Sequence, residues 1–490
     1  MGEPLSAMAE DAGGRVIRAA VTETLVGRDR EGAFVARLAV AVPTMANGGL
    51  RLERDQDGIG ERLVATFELR EDARWQDGAP ITAADIRFAF DEDRLAPAGS
   101  ERRWMADRVE RMDEISARAV RVVYRRGERW ELYALAPHVL PAHLLAGATA
   151  ERRAAYDRAP VHAGPFAVAA WVRGYGVTLS AFRDHVGGPP HLGRIEVRFF
   201  RDPLTLADAL LRGDVDVVPS PAFDVDMIGT LERLADRRGL QAQYTPAMSV
   251  EMLRLGARGL AADPSVRRAL LLAVDRGGMA DTLFAGRVRV PRSYLVPPSP
   301  AAREALPPLR ADRAEAAQLL AAAGFSRGAI GVLERGGERL VLTLQVGGAS
   351  PARIETARRI ASDLGSLGIA LNVLQRTLED VGAAVSSGDF ELALLPERGD
   401  DVARASERYR GRVDPWFDLL VDAALRSANE SDRLDAYAEL QRLWSMSLAG
   451  IPIYQDLLVN VAPRDLVGVQ PVAHGDPLTW NVAEWSFARE

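Results

Sequence analysis

Residues Phe67–Asp91 read FELREDARWQDGAPITAADIRFAFD. Phe67 and Leu69 alternate with polar residues, as in a strand with one face turned inward. Asp77-Gly78 reads as a tight turn, with glycine free to take positive φ. Thr82 then reads as a helix N-cap, with Asp85 three residues on in a capping-box-like position where Glu or Gln is usual. Ile86, Phe88 and Phe90 cannot share one helical face, so this run meets two neighbours. The acids of the stretch pose a choice between an active-site turn and scaffold. The strand–turn–helix reading favours scaffold.

The 490 residues set a soft prior of about three domains. At 48% hydrophobic and 26% charged the composition is that of a globular chain, long enough to bury a large core without covalent staples. Net charge is −7 and spread along the chain, with no basic footprint for nucleic acid and no polybasic membrane segment. Cysteine is absent, which excludes disulfides, thiolate catalysis and zinc–cysteine sites. Lysine is absent too, and all 61 basic residues are arginine. That removes P-loop, Schiff-base and kinase-type lysine chemistry. No run of apolar residues is long enough for a transmembrane helix. No charged-then-apolar start is read as an export signal within this sequence, and the beginning, MGEPLSAMAEDAGG, reads as a trimmed end.

Helix-like periodicity is expected over Gly14–Val26, and strands over Leu63–Arg70 and Val120–Tyr124. Leu132–Leu145 reads as loop or short helices. Strands follow at Phe166–Trp171, Val177–Ala181 and Ile195–Phe200, then a helix at Leu204–Leu211 stopped near Gly213, and a short strand at Val215–Pro219. Asp263-Pro264 opens a helix with Val266, Ala269, Leu270 and Ala273 on one face. Asp312 opens another, closed by Gly324. Leu340–Val346, Pro351–Leu364 and Ile369–Leu374 form a strand–helix–strand unit with a parallel crossover. Ser431 is read as the cap of a helix running to about Leu448, and Trp480–Trp485 as strand-like.

Tests for catalytic motifs return little. No G-x-S-x-G, H-E-x-x-H, Walker A or G-x-G-x-x-G pattern occurs. His138 and His143 are five apart and do not make an i, i+4 metal pair. All six histidines, with His162, His185, His191 and His474, read as surface or turn polarity. The pairs Asp400-Asp401, Asp214 with Asp216, and Asp91 with Asp93 could set up a general acid and base if their environments differed. In a chain with 68 acids they read as solvated faces.

The opening stretch resembles the family 5 extracellular solute-binding proteins of ABC importers, through Phe67, Leu69, Arg70, Trp75, Asp77, Gly78, Pro80, Thr82, Ala83, Asp85 and Ile86. Further blocks follow in order. They are Glu23-Thr24-Leu25-Val26, Gly164-Pro165-Phe166, Gly188-Pro189-Pro190, Gly213-Asp214-Val215-Asp216, Val266-Arg267-Arg268-Ala269-Leu270 with Asp275-Arg276, Leu319-Leu320 with Ala323-Gly324-Phe325, Leu367-Gly368-Ile369 and Ile451-Pro452-Ile453-Tyr454. Three departures stand out. The family's first strand, ahead of Glu23, is missing or degraded. Val161-His162-Ala163 stands where V-G-T is usual. The segment from Leu394 to Phe417 is shorter than the family's aromatic-rich loop, which puts peptide binding in particular in doubt.

The resemblance implies an α/β, two-lobed periplasmic-binding-protein-like fold (type II, cluster C) with an extra small inserted domain. The implied division is 1–26 for the start of lobe I, 27–163 for the inserted domain, 164–247 for lobe I continued, 248–456 for lobe III and 457–490 for the return to lobe I. Solute is then expected in the cleft between lobes, with no catalytic residue, no metal site and no cofactor. Expected cleft residues are Glu23, Arg103, Trp104, Tyr244, Met248, Arg398, Asp400, Trp416 and Trp480. Arg103 beside Trp104 suits a carboxylated chelate or peptide terminus, while a helical Trp packed in the small domain is the plainer reading. Arg398 and Asp400 are either ligand contacts or a solvated turn, and Tyr244 and Met248 either cleft or core.

The implied partners are a small-molecule or peptide solute and an importer permease, with no nucleic acid, and the chain is read as a monomer, periplasmic or extracellular and membrane-anchored. A sensory or chaperone-like receptor and a hydrolase with an unrecognised site are the competing classes.

Overall fold

The computed structural model describes residues 12–54, 61–97, 100–126, 138–223, 227–305, 311–399, 402–427 and 429–488. The helix Ala12–Val21 leads the described chain, ending five residues short of the expected Gly14–Val26 span, because Val26 opens the strand Val26–Arg28. The opening stretch folds as read. A strand Glu61–Glu68 ends in a turn with Gly78 at φ 87°, and a helix runs Ala83–Asp93 from Thr82. Phe67, Trp75 and Ile86 are fully buried. Phe90 is buried and Phe88 half-buried, so the helix does meet two neighbours.

Asp85 is buried and does the joining. Its Oδ2 accepts from the Thr82 N–H at 2.8 Å and from the Thr82 hydroxyl at 3.1 Å, while its Oδ1 accepts from the Ala142 N–H at 2.9 Å. One carboxylate therefore caps its own helix and holds the start of the short helix Ala142–Leu145. Gln76 plays a similar part. Its amide donates to the carbonyls of Gly164 at 3.0 Å and Phe166 at 2.8 Å, and its Oε1 accepts from the His162 N–H at 3.0 Å. The WQDG turn thus stitches the Glu61–Glu68 region to the chain around Phe166. Its Asp77 is held below the usual carboxylate range: burial alone would raise it, but a 2.7 Å contact with His143 and backbone N–H groups outweigh that.

Six sheets are formed among the described residues. A four-stranded antiparallel sheet places Glu61–Glu68 between Leu50–Arg54 and Ala119–Tyr124, with Val109–Ser116 beyond. A three-stranded antiparallel sheet joins Phe166–Val172, Gly176–Ala181 and Arg194–Arg198. The largest has five strands, in the order Ala370–Arg376, Val341–Gly347, Leu392–Arg398, Leu240–Leu255 and Gly450–Pro463. Within it Val341–Gly347 and Ala370–Arg376 are parallel and connected by the helix Pro351–Leu367, the crossover the sequence predicts. Helices start where Asp263 and Asp312 cap them.

Several local readings are corrected. The late helix runs Glu430–Ser447 and is capped by Asn429, whose Oδ1 accepts from the Ser431 N–H at 2.9 Å. Trp480–Trp485 is not a strand: Trp480–Glu484 lies in a 3-10 helix, Leu478–Glu484, and Trp485 caps its end. Its indoles donate inward, Trp480 to the Gln470 carbonyl and Trp485 to Asn481. Val215–Pro219 is no full strand; only Val218 bridges, to Val461. His162, His185 and His474 are buried rather than surface groups. His185 reaches Glu23 at 3.2 Å and His474 the Asp29 carbonyl at 2.9 Å, while burial drives His162 down to about 4.

The core is divided. One cluster spans Leu25 to Ala163 and surrounds the opening stretch. A large cluster spans Val250 to Tyr454 around the five-stranded sheet. Two others gather residues from both sides of it in sequence, Leu206–Leu240 with Val459 and Val461, and Ile17–Leu179 with Leu466–Trp485.

Replacing Asp85 by Ala removes a cap and leaves buried donors unmet, and costs about 2–3 kcal/mol of unfolding free energy. Urea denaturation followed by circular dichroism checks this; a loss below about 0.5 kcal/mol contradicts the role given to Asp85.

Candidate functional site

Among the described residues, two strands of the five-stranded sheet pass from one group of clusters to the other. Leu240–Leu255 and Gly450–Pro463 run antiparallel, paired from Leu240↔Pro463 to Arg254↔Gly450. The register shifts between Pro246 and Val250. On one side of this break Leu240, Val459 and Val461 belong to a cluster with Leu206 and Leu231. On the other side Val250, Met252, Ile451 and Ile453 belong to the large cluster. A bulge bends and twists a ladder locally. Here it sits where the two bodies are joined, which is the place a hinge requires.

The three residues in the break, Ala247, Met248 and Ser249, use their polar groups to reach other segments. The Met248 N–H donates to the Ala473 carbonyl at 2.9 Å, and the Met248 carbonyl accepts from the Gly399 N–H at 2.7 Å. Gln455 Nε2 donates to the carbonyls of Ala247 at 2.8 Å and Pro297 at 2.7 Å. The Ser249 hydroxyl donates to Asp456 Oδ2 at 2.5 Å. Directly beyond the break, Glu251 is buried and bidentate with Arg353, at 2.6 and 2.9 Å, and Arg353 also donates to the Gly347 carbonyl at 2.6 Å. Gly347 and Arg398 end the two parallel strands Val341–Gly347 and Leu392–Arg398 on this same side, the edge where open α/β sheets bind ligands.

The nine expected residues distribute as follows. Met248 lies in the break. Arg398 is exposed at the end of its strand, paired in register with Ser249, and its carbonyl accepts from Arg408. Asp400 lies outside the described residues. Trp104 is half-buried against the Leu25–Ala163 cluster. Its ring has the Arg108 guanidinium at 3.5 Å and the Arg404 guanidinium at 5.5 Å. Arg404 sits on the helix Val402–Glu407, so Trp104 touches both the small cluster and the segment after Arg398. Arg103 instead turns to Asp107 at 2.8 Å and to the Arg94 carbonyl.

Tyr244 lies before the break, where it donates to Glu232 at 3.3 Å under the Arg287 guanidinium, which itself pairs with Glu232. Burial and the neighbouring Glu232 push its hydroxyl up to about 12. Glu23 is committed to His185 and to the Thr24 N–H. Trp416 is 55% exposed in the first turn of the helix Pro415–Arg426, and Trp480 packs by Arg37. The structure thus brings Met248, Arg398 and, through Arg404, Trp104 toward one region; it leaves Arg103, Glu23, Tyr244 and Trp480 engaged elsewhere and Trp416 exposed. Ser249, Glu251, Arg353, Gln455 and Asp456 were not singled out from sequence. Their partners lie about one to two hundred residues away in the chain, so no local spacing marks them.

The segment after Arg398 is anchored from beneath. Arg254 pairs with Glu397 at 2.8 Å inside the protein, and Tyr409 donates to the other Glu397 oxygen at 2.8 Å. The Arg254 guanidinium lies 4.0 Å over the Tyr409 ring, which packs with Tyr294 and Trp444. Glu397 and Tyr409, on either side of the helix Val402–Glu407, are thereby held together.

A sequence profile of the bacterial extracellular solute-binding proteins, family 5, middle region, matches residues 60–410. The chain belongs to this family. Protein XP55 of Streptomyces lividans is 26% identical over 437 residues, covering 86% of this chain and 76% of its own. Among solved structures, NikA from Brucella suis in complex with Fe(III)-EDTA superposes with a TM-score of 0.81 at 21% identity, over 99% of this chain and 97% of NikA. The oligopeptide-binding protein AppA from Bacillus subtilis, in complex with a nonapeptide, superposes with a TM-score of 0.73 at 18% identity, over 99% and 96%. The fold is the two-lobed binding-protein fold of these neighbours.

Glu251 also generates a pH prediction. Its ordinary value is 4.5; burial pushes it up to about 7, against the opposing pull of Arg353 and with Asp456 adding to the rise. The folded carboxyl therefore keeps its proton to higher pH than the unfolded one, and the associated stability is present below about 4.5 and lost as pH rises through about 7. The stability difference between the wild type and Glu251→Gln, measured by urea denaturation across this window, should shift steadily against the wild type. A pH-independent difference contradicts the assignment.

Proposed function

We propose that the chain is the substrate-binding component of an ABC importer, capturing a peptide, a metal chelate or a related small polar solute between two lobes by hinge closure. The observation that carries this reading is the break at Ala247–Ser249 in the pair of strands that joins two separately cored bodies. In the proposed division, lobe I comprises residues 1–26, 164–247 and 457–490, lobe III comprises 248–456, and the small inserted domain comprises 27–163. Lobe III presents to the cleft the strand ends at Gly347 and Arg398 with Arg353, and the small domain presents Trp104. Met248, Ser249 and Asp456 form the floor.

Such a receptor needs no nucleophile. It needs aromatic walls and a few placed polar groups, and the solute selects the closed state by its differential affinity. The partners are then the solute and an importer permease, and the protein acts as a monomer, periplasmic or extracellular. Trp104 with Arg404 makes the region suited to a carboxylated solute, since guanidinium groups bind carboxylates and stack on flat rings.

A thermal-shift panel of peptides, nickel–histidine chelates, opines and sugars tests the reading. One class should raise Tm in proportion to the logarithm of its concentration. No shift with any class, together with turnover of a substrate, overturns it. Trp104→Ala should weaken the binding of that solute about tenfold or more in calorimetry, with Tm of the free protein changed little. Unchanged affinity removes Trp104 from the site.

A further inference from the structure

The helix Arg276–Phe284 ends on two left-handed residues, Ala285 at φ 51° and Gly286 at φ 70°. Glycine takes such a φ freely, whereas alanine holds it only where other contacts fix the turn. The turn sends residues 287–291 to the outer edge of Gly450–Pro463, whose other edge pairs with Leu240–Leu255. There the Gln455 N–H donates to the Arg289 carbonyl at 2.9 Å. Buried Arg276 fastens the far end, donating to the carbonyls of Pro291 and Pro452 at 3.2 Å each. Val288 is buried in the large cluster and Val290 packs against it, so the segment belongs to that body.

Its tip reaches the other body. Arg287 pairs with Glu232, and its guanidinium lies 5.2 Å from the centre of the Tyr244 ring. Tyr244 in turn donates to Glu232 at 3.3 Å. Both partners stand across the break from Val288. Tyr244 packs against the cluster of Leu206, Leu240 and Val461, and Glu232 sits on the helix Ile228–Arg238, whose Ile228, Leu231 and Ala235 belong to that cluster. Leu457, beside the break, packs against both clusters.

Contacts that span a hinge are made or broken as the bodies turn, while contacts inside a body persist. With side chains 32% and 40% exposed, the Arg287–Glu232 pair adds little to the stability of either body. Between two arrangements of nearly equal free energy, the same small contribution moves the populations. The arrangement seen here also sets Trp104 of the small domain against Arg404 of lobe III, a contact that opening separates.

We propose that Arg287, Glu232 and Tyr244 form a brace that holds the two lobes in this arrangement and so sets how tightly solute is kept, without touching the solute. This role rests on the hinge reading of Ala247–Ser249, and Arg287 is a positioning residue in it.

The chain has no cysteine, so Leu204→Cys and Met446→Cys, both at exposed helical positions, put one spin label on each body. Double electron–electron resonance on the full chain without solute then reads the distance between the bodies. The labelled parent should give one narrow distance. Arg287→Gln and Glu232→Gln should each add a second distance carrying at least about a tenth of the molecules, with unchanged far-ultraviolet circular dichroism. Raising NaCl from about 0.05 M to about 1 M should do the same to the parent and little more to Arg287→Gln. Arg287→Lys, which keeps the charge, should return the single distance. One unchanged distance in both glutamine variants overturns the brace. A second distance as populated in Arg287→Lys as in Arg287→Gln overturns it too, since packing and not charge is then at work. Gln455→Ala unties Ala247 from Pro297 at the break and reads the hinge by itself. A second distance in that variant alone overturns the brace and keeps the hinge; one narrow distance in every variant overturns both.

Discussion

Two antiparallel strands, Leu240–Leu255 and Gly450–Pro463, carry the hydrogen-bonded connection between two separately packed bodies, and their ladder is interrupted between Pro246 and Val250. A continuous ladder would transmit twist and bending stiffly from one body to the other. An interrupted one concentrates deformation in three residues. Those residues are not left loose: Met248 holds backbone hydrogen bonds to Ala473 on one side and Gly399 on the other, and Gln455 ties Ala247 to Pro297. The joint is thus narrow and defined, and the polar groups of Ser249, Asp456, Glu251 and Arg353 gather around it.

Each body can behave as a unit because its internal contacts are strong. On the large side, the buried Arg254–Glu397 pair with Tyr409 above it fixes the segment that follows Arg398. Removing one member of such a network leaves a charge buried without compensation, which is why these residues act together. In the Leu25–Ala163 region, Asp85 and Gln76 spend side-chain oxygens and amides on backbone groups far away in the chain. Both residues come from the stretch with the clearest resemblance to the family. Its acids Asp77 and Asp85 hold the scaffold together.

Much of the fold was legible locally. The strand–turn–helix around Trp75, the capped helices after Asp263 and Asp312 and the parallel crossover over 341–376 follow from period, caps and glycine stops, all set by near neighbours. The misread pieces have a common cause. Trp480–Trp485 alternates like a strand, yet its indoles find partners at Gln470 and Asn481 that favour a 3-10 turn. Asn429 takes the cap read at Ser431 because its side chain reaches the Ser431 N–H itself. His162, His185 and His474 carry no signal of burial in their neighbours; distant chain covers them.

The candidate site was legible in part, and the division has a physical origin. By itself the sequence determined the family, the α/β character and the absence of thiol and lysine chemistry, because these depend on residue types and on spacings within a helix turn or a strand. It pointed to Met248, Arg398 and Trp104 through a resemblance. Tertiary structure alone decided that Arg103 turns to Asp107, that Glu23 is committed to His185, and that Glu251 meets Arg353 at the break. Each of the last two pairs is separated by a hundred residues or more, and which partner a charged side chain finds is settled only when packing brings distant segments within hydrogen-bond reach.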